Sequence, residues 1–146
     1  MSDSNQTDEH ANASEALPIS HRPASTAPGH WVLARVGKKV LRPGGLELTL
    51  QMLSEAKLTG SRVVEYAPGL GRTASEILAA RPASYTGVDK DPVAAKHVRE
   101  LVGIRGTVVN ADAADTGLES GSADVVVGEA MLTMQGEKSK KAIISE

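Results

Sequence analysis

The segment SRVVEYAPGLGRTASEILAA, which spans Ser61–Ala80, decides the fold of this chain. Its first part, Arg62–Tyr66, is a short apolar run with two adjacent valines, and such a run is typical of a strand buried on both faces of a parallel sheet. The run ends at Pro68-Gly69, Gly71 follows after one residue, and apolar residues then recur at helical spacing. A strand, a glycine-rich turn and a helix in this order predict the first half of a βαβ unit.

The glycine-rich turn also predicts a ligand site. Gly69 and Gly71 let backbone N–H groups approach a ligand closely, and the start of the following helix offers unpaired N–H donors. Glu65 places a carboxylate at the end of the strand, just before these glycines. Because a negative charge there would repel a pyrophosphate, we expect a cationic or zwitterionic ligand.

The letters E-Y-A-P-G-L-G at Glu65–Gly71 resemble the first motif of class I S-adenosylmethionine-dependent methyltransferases, an acidic residue followed by x-G-x-G-x-G. Ala67 stands where that motif has its first glycine. The resemblance implies an α/β fold with a Rossmann-like parallel sheet and S-adenosyl-L-methionine as cofactor. It implies cofactor contacts from Glu65, Ala67, Pro68, Gly69 and Gly71. The letters from Gly69 to Ala74 also match G-x-G-x-x-A, so an NAD(P)-binding oxidoreductase domain and a plain structural turn remain alternatives.

Composition narrows the class of protein. The 146 residues are enough for one domain, and a hydrophobic content of 40% allows a core. The absence of cysteine excludes a disulfide framework or a thiolate metal site, and we expect no bound metal. A net charge of −2 argues against a nucleic-acid partner. Because the sequence shows neither a signal peptide nor a long apolar span, we expect a cytoplasmic protein without membrane contact.

The residues before the first strand divide into a tail and two helices. The polar residues 1–29 predict a disordered tail in front of a domain at residues 30–146. One helix is expected over Trp31–Leu41 and a second over Leu46–Lys57. The second would have one apolar face formed by Leu46, Leu50, Leu53 and Ala56. The resemblance implies that such helices cover the cofactor pocket, with Trp31 either as a lid or as an anchor that packs a helix onto the sheet.

Three further strands are predicted, and each leads to an acidic residue. Ser84–Val88 precedes Asp89, Gly106–Asn110 precedes Asp112, and Ala123–Gly128 precedes Glu129.

The positions of these acidic residues suggest separate roles. Asp89 follows the glycine turn by about 20 residues, where an acidic side chain meets ribose hydroxyls. Asp91 is interpreted as the N-cap of a helix over Pro92–Leu101. The resemblance implies that Asp112 binds the adenine amino group and that the Ala113 N–H meets a ring nitrogen, although Asp112 also suits an Asx turn. Lys90 and Glu129 complete the predicted cofactor-binding set.

Charge favours S-adenosylmethionine over a dinucleotide. The carboxyl ends of parallel strands border one crevice, so up to four carboxylates would surround one ligand. At ~8 Å and an effective dielectric of ~20, each like-charge pair costs about 2 kcal/mol. A dinucleotide carries at least two negative phosphates, whereas S-adenosylmethionine carries a sulfonium and an ammonium against one carboxylate. The four acidic strand ends therefore favour the sulfonium ligand.

The segment after the fourth strand bears on the acceptor. Gly128-Glu129-Ala130-Met131 is not the Asn/Asp-Pro-Pro-aromatic motif of amino-directed nucleic-acid methyltransferases. Met131, Leu132 and Met134 indicate an apolar wall, which resembles the small-molecule branch, including quinone-type methyltransferases. The predicted function is methyl transfer from S-adenosylmethionine to a small-molecule acceptor, and no catalytic residue is assigned.

The chain is expected to hold an incomplete domain. A basic helix at Gly136–Ser145 follows the fourth strand, whereas the family fold continues with three more strands. If strand order follows the family, the fourth strand is an open edge, which promotes pairing with another chain. A truncated product, a half-domain completed by a second copy, and a non-catalytic cofactor-binding remnant are all possible explanations. Of these, we favour an incomplete methyltransferase domain that forms a homo-oligomer through the open edge.

Overall fold

A computed structural model describes Arg42 and residues 44–146. The predicted tail at residues 1–29, the helix over Trp31–Leu41 and the candidate lid Trp31 lie outside the described residues. The helices are α1 (Gly45–Glu55), α2 (Arg72–Ala79), α3 (Pro92–Val102) and α4 (Glu137–Ser145), and the strands are β1 (Arg62–Tyr66), β2 (Ser84–Val88), β3 (Thr107–Val109) and β4 (Val125–Gly128). None of these helices has the length and apolar character needed to cross a membrane.

The four strands form one parallel sheet in the order β3-β2-β1-β4. From β1 the chain moves outward through β2 to β3 and then returns to the other side of β1 for β4. The direction of winding therefore reverses between β1 and β4. In open α/β sheets, ligands bind at such a switch point, outside the carboxyl ends of the strands. The predicted α/β fold with a Rossmann-like parallel sheet is confirmed.

Helices cover both faces of the sheet. Successive side chains of β1 point to opposite faces, so Val63 and Val64 lie in different apolar clusters. Val63 packs with residues of α1, α2 and α3, among them the fully buried Ile77. Val64 packs with Ile143 of α4. Glu65, two residues after Val63, lies on the same face of the sheet as α2 and α3.

The strand and helix boundaries agree well with the apolar pattern. The strands β1 and β2 have the predicted ends, and α3 begins at Pro92 as predicted. The Asp91 carboxylate caps α3 by accepting the Val93 N–H at 2.8 Å, which confirms the predicted N-cap. The strand β4 begins at Val125 and not at Ala123, because the Asp124 side chain instead accepts hydrogen bonds from Arg62.

The apolar face predicted for α1 is wrong at one position. Leu50 is 44% exposed, whereas the buried residues of α1 are Thr49 and Leu53. The Thr49 hydroxyl lies 3.3 Å from Glu129 Oε2, beyond the end of β4. The contact between Thr49 and Glu129 thus helps to orient α1. The spacing of apolar residues does not predict such a polar contact.

Candidate cofactor site

The turn between β1 and α2 has left-handed backbone at Ala67, Gly69 and Gly71, where φ is +54°, +56° and +74°. The Ala67 N–H donates to the Val88 carbonyl at 2.8 Å, so this conformation is tied to the end of β2. Ala67 therefore adopts a backbone conformation that favours glycine, at the position where the methyltransferase motif has glycine. The turn thus has left-handed backbone at this position although the residue is alanine.

Asp89 holds the glycine turn and the start of α3 together. Its side chain is nearly buried, at 7% exposure. Oδ2 accepts the Gly69 N–H at 3.1 Å, and Oδ1 accepts the Asp91 N–H at 2.9 Å. Burial raises the pKa of Asp89, and these two N–H groups oppose the rise. Each oxygen of an ionised carboxylate has a second lone pair, so Asp89 still has acceptor capacity for two ligand hydroxyls.

Glu65 is a buried carboxyl group with a hydroxyl partner. It is 4% exposed, and the Tyr85 hydroxyl donates to its Oε2 at 2.7 Å. Burial raises the pKa of Glu65 to about 7, the hydrogen bond from Tyr85 lowers it, and the charges of Glu129 and Asp89 raise it. The nearby Arg42 guanidinium lowers it. Glu65 is therefore poised to change its charge near neutral pH.

Glu129 forms an ion pair with Arg42 and accepts hydrogen bonds from two threonine hydroxyls. Arg42 Nε lies 2.5 Å from Glu129 Oε2, and the Thr73 hydroxyl in the first turn of α2 donates to the same oxygen at 3.1 Å. The Thr49 hydroxyl of α1 lies 3.3 Å from it. This group, the Glu129 cluster (Arg42, Thr49, Thr73 and Glu129), joins the end of β4 to α1 and α2.

Asp112 makes a local turn. Its side chain is exposed, and Oδ1 accepts the Ala114 N–H at 2.9 Å, as in an Asx turn. The preceding Ala111 N–H donates to the Asp89 carbonyl at 3.2 Å, so the segment runs beside the end of β2. Lys90, the residue after Asp89, is exposed, and Ala113 packs against the cluster that contains Val64.

Of the four predicted carboxylates, the structure brings three into one electrostatic group. The charges of Glu129 and Asp89 each raise the pKa of Glu65. Asp112 follows β3 at the same carboxyl end of the sheet, but its carboxylate accepts the Ala114 N–H within its own turn. Within the described residues, no group of three or more acidic or histidine side chains is arranged to hold a metal ion.

Sequence reasoning missed Tyr85 as a partner of Glu65. Gly87 lies opposite Glu65 in the paired strands, and Tyr85 is two residues earlier on the same face. A Cβ atom at Gly87 would lie 3.0 Å from the Tyr85 hydroxyl oxygen, and one at Gly106 would lie 2.7 Å from Tyr85 Cδ1. These two glycines leave the space that the tyrosine ring occupies. The alternation Y-T-G places Tyr85 and Gly87 on one face of β2. It identifies Tyr85 as a partner of Glu65 only once the strand register is known.

Comparison with known proteins agrees with the motif. A family model described as a methyltransferase domain matches residues 63–146, which is more than half of the chain. An uncharacterized protein of Haemophilus influenzae strain Rd is 34% identical over 124 residues. That match covers 81% of this chain and 49% of the relative, so the chain spans about half the length of the curated protein.

Solved structures with this fold include a methyltransferase bound to a cofactor product. An S-adenosylmethionine-dependent methyltransferase from Thiobacillus denitrificans, in complex with S-adenosyl-L-homocysteine, has a TM-score of 0.60 at 16% identity, over 82% of this chain and 50% of that one. A candidate RNA methyltransferase from Pyrococcus horikoshii has a TM-score of 0.55 at 19% identity, over 68% of this chain and 49% of that one. The chain belongs to the methyltransferase domain family, whose cofactor is S-adenosylmethionine, and its fold is that of the class I enzymes.

Proposed function

We propose that this chain binds S-adenosylmethionine at the carboxyl ends of β1 and β2 and serves methyl transfer to a small-molecule acceptor. The family match over residues 63–146 carries the proposal, together with an acidic site at the switch point of the sheet. The same match speaks against the NAD(P)-binding alternative. The proposed domain covers residues 30–146, and a cytoplasmic location stays a prediction.

Each residue of the proposed site is assigned to one part of the cofactor. Asp89 is assigned to the ribose hydroxyls, since its oxygens already hold the glycine turn at Gly69 and have lone pairs to spare. Asp112 and the Ala113 N–H are assigned to the adenine edge. Glu65 supplies negative charge next to the turn, where the sulfonium and ammonium groups would lie. The backbone of Ala67, Pro68, Gly69 and Gly71 forms the wall of the pocket on this assignment.

Methyl transfer depends more on the relative position of the two reactants than on a catalytic side chain. When bound, S-adenosylmethionine supplies an electrophilic methyl group for in-line displacement by an acceptor nucleophile. The chain contributes a fixed orientation of the two reactants and an environment from which water is kept away. A base is needed where the acceptor must lose a proton, and we assign this role to no residue.

The acceptor is proposed from the surface beside β4. Met131 and Leu132 are half-buried next to the site, and Met134 is exposed. A Cβ atom at Gly128 would lie 3.6 Å from Met131 Sδ, so the strand end and the methionine form one apolar surface. An apolar small molecule matches this surface and the net charge of −2 better than RNA does. Because one solved structure with this fold is a candidate RNA methyltransferase, an RNA oligonucleotide belongs in the acceptor assay.

Self-association through β4 is part of the proposal. In the described sheet β4 lies at the edge, and Val126 in its centre is exposed. An exposed apolar edge strand favours pairing with another strand. Analytical ultracentrifugation at micromolar concentration tests this point, and a monomer throughout the concentration series would contradict it.

Calorimetry tests the cofactor assignment. We expect the purified chain to bind S-adenosylhomocysteine and to give no heat with NADPH. Asp89→Ala should weaken binding by roughly 1–3 kcal/mol, because charge-assisted hydrogen bonds are lost. The exposed Glu100 provides a control, since Glu100→Gln removes one negative charge away from the site. Binding of NADPH alone would overturn the proposal, and an unchanged affinity in Asp89→Ala would remove Asp89 from the site.

A further inference from the structure

Arg42 has a guanidinium nitrogen without an acceptor. Its side chain is 13% exposed, and Nε is engaged by Glu129 Oε2 and by the Thr49 hydroxyl oxygen, each at 2.5 Å. Nη2 is closed to solvent and has no hydrogen-bond partner among the described residues. Buried donors of a charged group are nearly always matched, because an unmatched one loses its hydration without compensation. Among the described residues, Nη2 is therefore a donor that is available to an anionic acceptor.

The acceptor should be an anion close to the cofactor site. A guanidinium presents a planar fork of donors that pairs with a carboxylate through two parallel bonds. The positive charge of Arg42 is felt at Glu65, where it lowers the pKa. Arg42 is thus within electrostatic reach of the residue that begins the glycine motif.

The charges of the site match the two ends of an amino acid. Glu65, Asp89 and Glu129 supply negative charge, and Arg42 is the described cation that forms an ion pair within this group. S-adenosylmethionine and S-adenosylhomocysteine each carry one carboxylate, in their amino-acid part. An acidic site that held this carboxylate without a cation would repel it.

We propose that Arg42 binds the carboxylate of the amino-acid part of the cofactor. This inference rests on the proposed function. Glu129 and Thr49 hold Nε, so they act as positioning residues for the guanidinium. Since Nη2 is closed to solvent, the groups that cover it must shift when the ligand enters, and side-chain rotamer changes are common at binding interfaces. The proposal assigns Glu129 to the support of Arg42 instead of to direct contact with the cofactor.

Two ligands that differ in this carboxylate test the proposal. S-adenosylhomocysteine has it, and S-adenosyl-3-thiopropylamine keeps the amine and the thioether but lacks it. We expect Arg42→Gln to weaken S-adenosylhomocysteine binding on the order of 10- to 100-fold in calorimetry and to leave the amine ligand within about twofold. Arg42→Lys should lie between, because lysine keeps the charge and loses the planar fork. Arg105→Gln, a matched change at an exposed arginine, should alter neither affinity.

The outcomes separate this proposal from the proposed function. If Arg42→Gln weakens both ligands equally, Arg42 acts through the support of Glu129 and the proposal is overturned. If it tightens either ligand, the guanidinium obstructs the site and the proposal is likewise overturned. If the wild-type chain binds S-adenosylhomocysteine and the variant shows no discrimination, the proposed function stands and the role of Arg42 fails. If the wild-type chain binds neither ligand, the proposed function fails first. Circular dichroism of Arg42→Gln and Arg42→Lys checks that both variants fold.

Discussion

The Tyr85 hydroxyl lies 2.7 Å from Glu65 Oε2 and joins the two inner strands β1 and β2 by a buried side-chain contact. Burial raises the pKa of both groups, that of Glu65 to about 7 and that of Tyr85 above its ordinary value. The tyrosine therefore stays protonated and acts as donor. Because it donates to the carboxylate, the contact favours the ionised form of Glu65 in a place where burial opposes it.

Tyr85→Phe tests this relationship by removing the donor and keeping the ring. At pH 8 an ionised Glu65 would lose its hydrogen bond, and we expect the free energy of unfolding to fall by about 1–3 kcal/mol. At pH 5.5 Glu65 is protonated, so the loss should be smaller. Urea denaturation at both pH values measures the difference. Tyr66→Phe on the opposite face is the control, and an equal loss at both pH values in Tyr85→Phe would contradict the assignment.

Glu65 should make the protein less stable at pH 8 than at pH 5. Its folded pKa of about 7 lies above the ordinary value of 4.5, so the folded state binds more protons than the unfolded state between these values. The contribution is fully present below pH 4.5 and is lost as pH rises through about 7, on the order of 1–3 kcal/mol. Glu65→Gln should flatten this slope, although Asp89, whose pKa is also raised, contributes in the same direction. Glu55→Gln should leave the slope unchanged, and a steep slope that survives in Glu65→Gln would show that another group causes it.

Cofactor binding should release protons near neutral pH. The cationic end of S-adenosylmethionine favours an ionised Glu65, so binding should lower the pKa from about 7. Calorimetry at pH 6.5 in buffers of different ionisation enthalpy measures the proton count. We expect a fraction of one proton to leave per ligand bound, and none in Glu65→Gln. Proton uptake in the wild-type chain would argue that the cationic end lies elsewhere.

Ala67→Gly should stabilise the protein by up to about 1 kcal/mol. The φ of +54° strains an alanine by roughly 1–2 kcal/mol, and the added freedom of glycine in the unfolded chain offsets part of this gain. Ala142→Gly, at an exposed position inside α4, is the same substitution in helical backbone and should cost about 1 kcal/mol. Thermal unfolding of both variants should give shifts of opposite sign. A matching loss in both would mean that Ala67 carries too little strain to offset the entropy cost of glycine.

The pair Arg62–Asp124 should stabilise the start of β4 near neutral pH and lose this effect in acid. The Asp124 carboxylate accepts the Arg62 N–H and the Nη2 group, each at 2.8 Å, and these contacts lower its pKa to about 2. Its contribution is present above the ordinary value near 4 and is lost as pH falls toward 2. Asp124→Asn should lower the melting temperature at pH 6 and have a smaller effect at pH 2.5. The looser surface pair Lys96–Glu100, at 3.9 Å, provides the control, and Glu100→Gln should change little at either pH.

Sequence reasoning succeeded where a rule acts over a few residues. The valine run and the turn chemistry determined the ends of β1 and the cap at Asp91, because both depend on neighbours in the chain. The partners of Glu65 and Glu129 were not predictable in this way. Tyr85 reaches Glu65 from the next strand, and Arg42 reaches Glu129 from the other end of the described chain. Such pairs depend on strand register and helix orientation, which a pattern of apolar residues does not specify.

The position of Leu50 illustrates the same limit on a smaller scale. Helical spacing placed it with Leu53, yet Thr49 takes the inward position because its hydroxyl meets the Glu129 cluster. The choice of cofactor came from the family resemblance and from the acidic residues at the strand ends, and not from apolar spacing. The family match over residues 63–146 confirms that part of the reasoning, whereas the individual contacts of Glu65, Asp89 and Asp112 stay predictions.

Gly87 and Gly106 carry no charge and donate nothing to the carboxyl group of Glu65. They affect its pKa indirectly, because they leave space for Tyr85, which donates to Glu65. A methyl group at Gly106 would lie 2.7 Å from a carbon of the Tyr85 ring, and one at Gly87 would lie 3.0 Å from its hydroxyl oxygen. The methyl at Gly106 would force a shift of the Tyr85 ring or of the local backbone, and the methyl at Gly87 would press on the hydroxyl that donates to Glu65. A survey of tolerated substitutions should therefore show intolerance at these two glycines, and part of its cause would be the disturbed hydrogen bond from Tyr85 to Glu65.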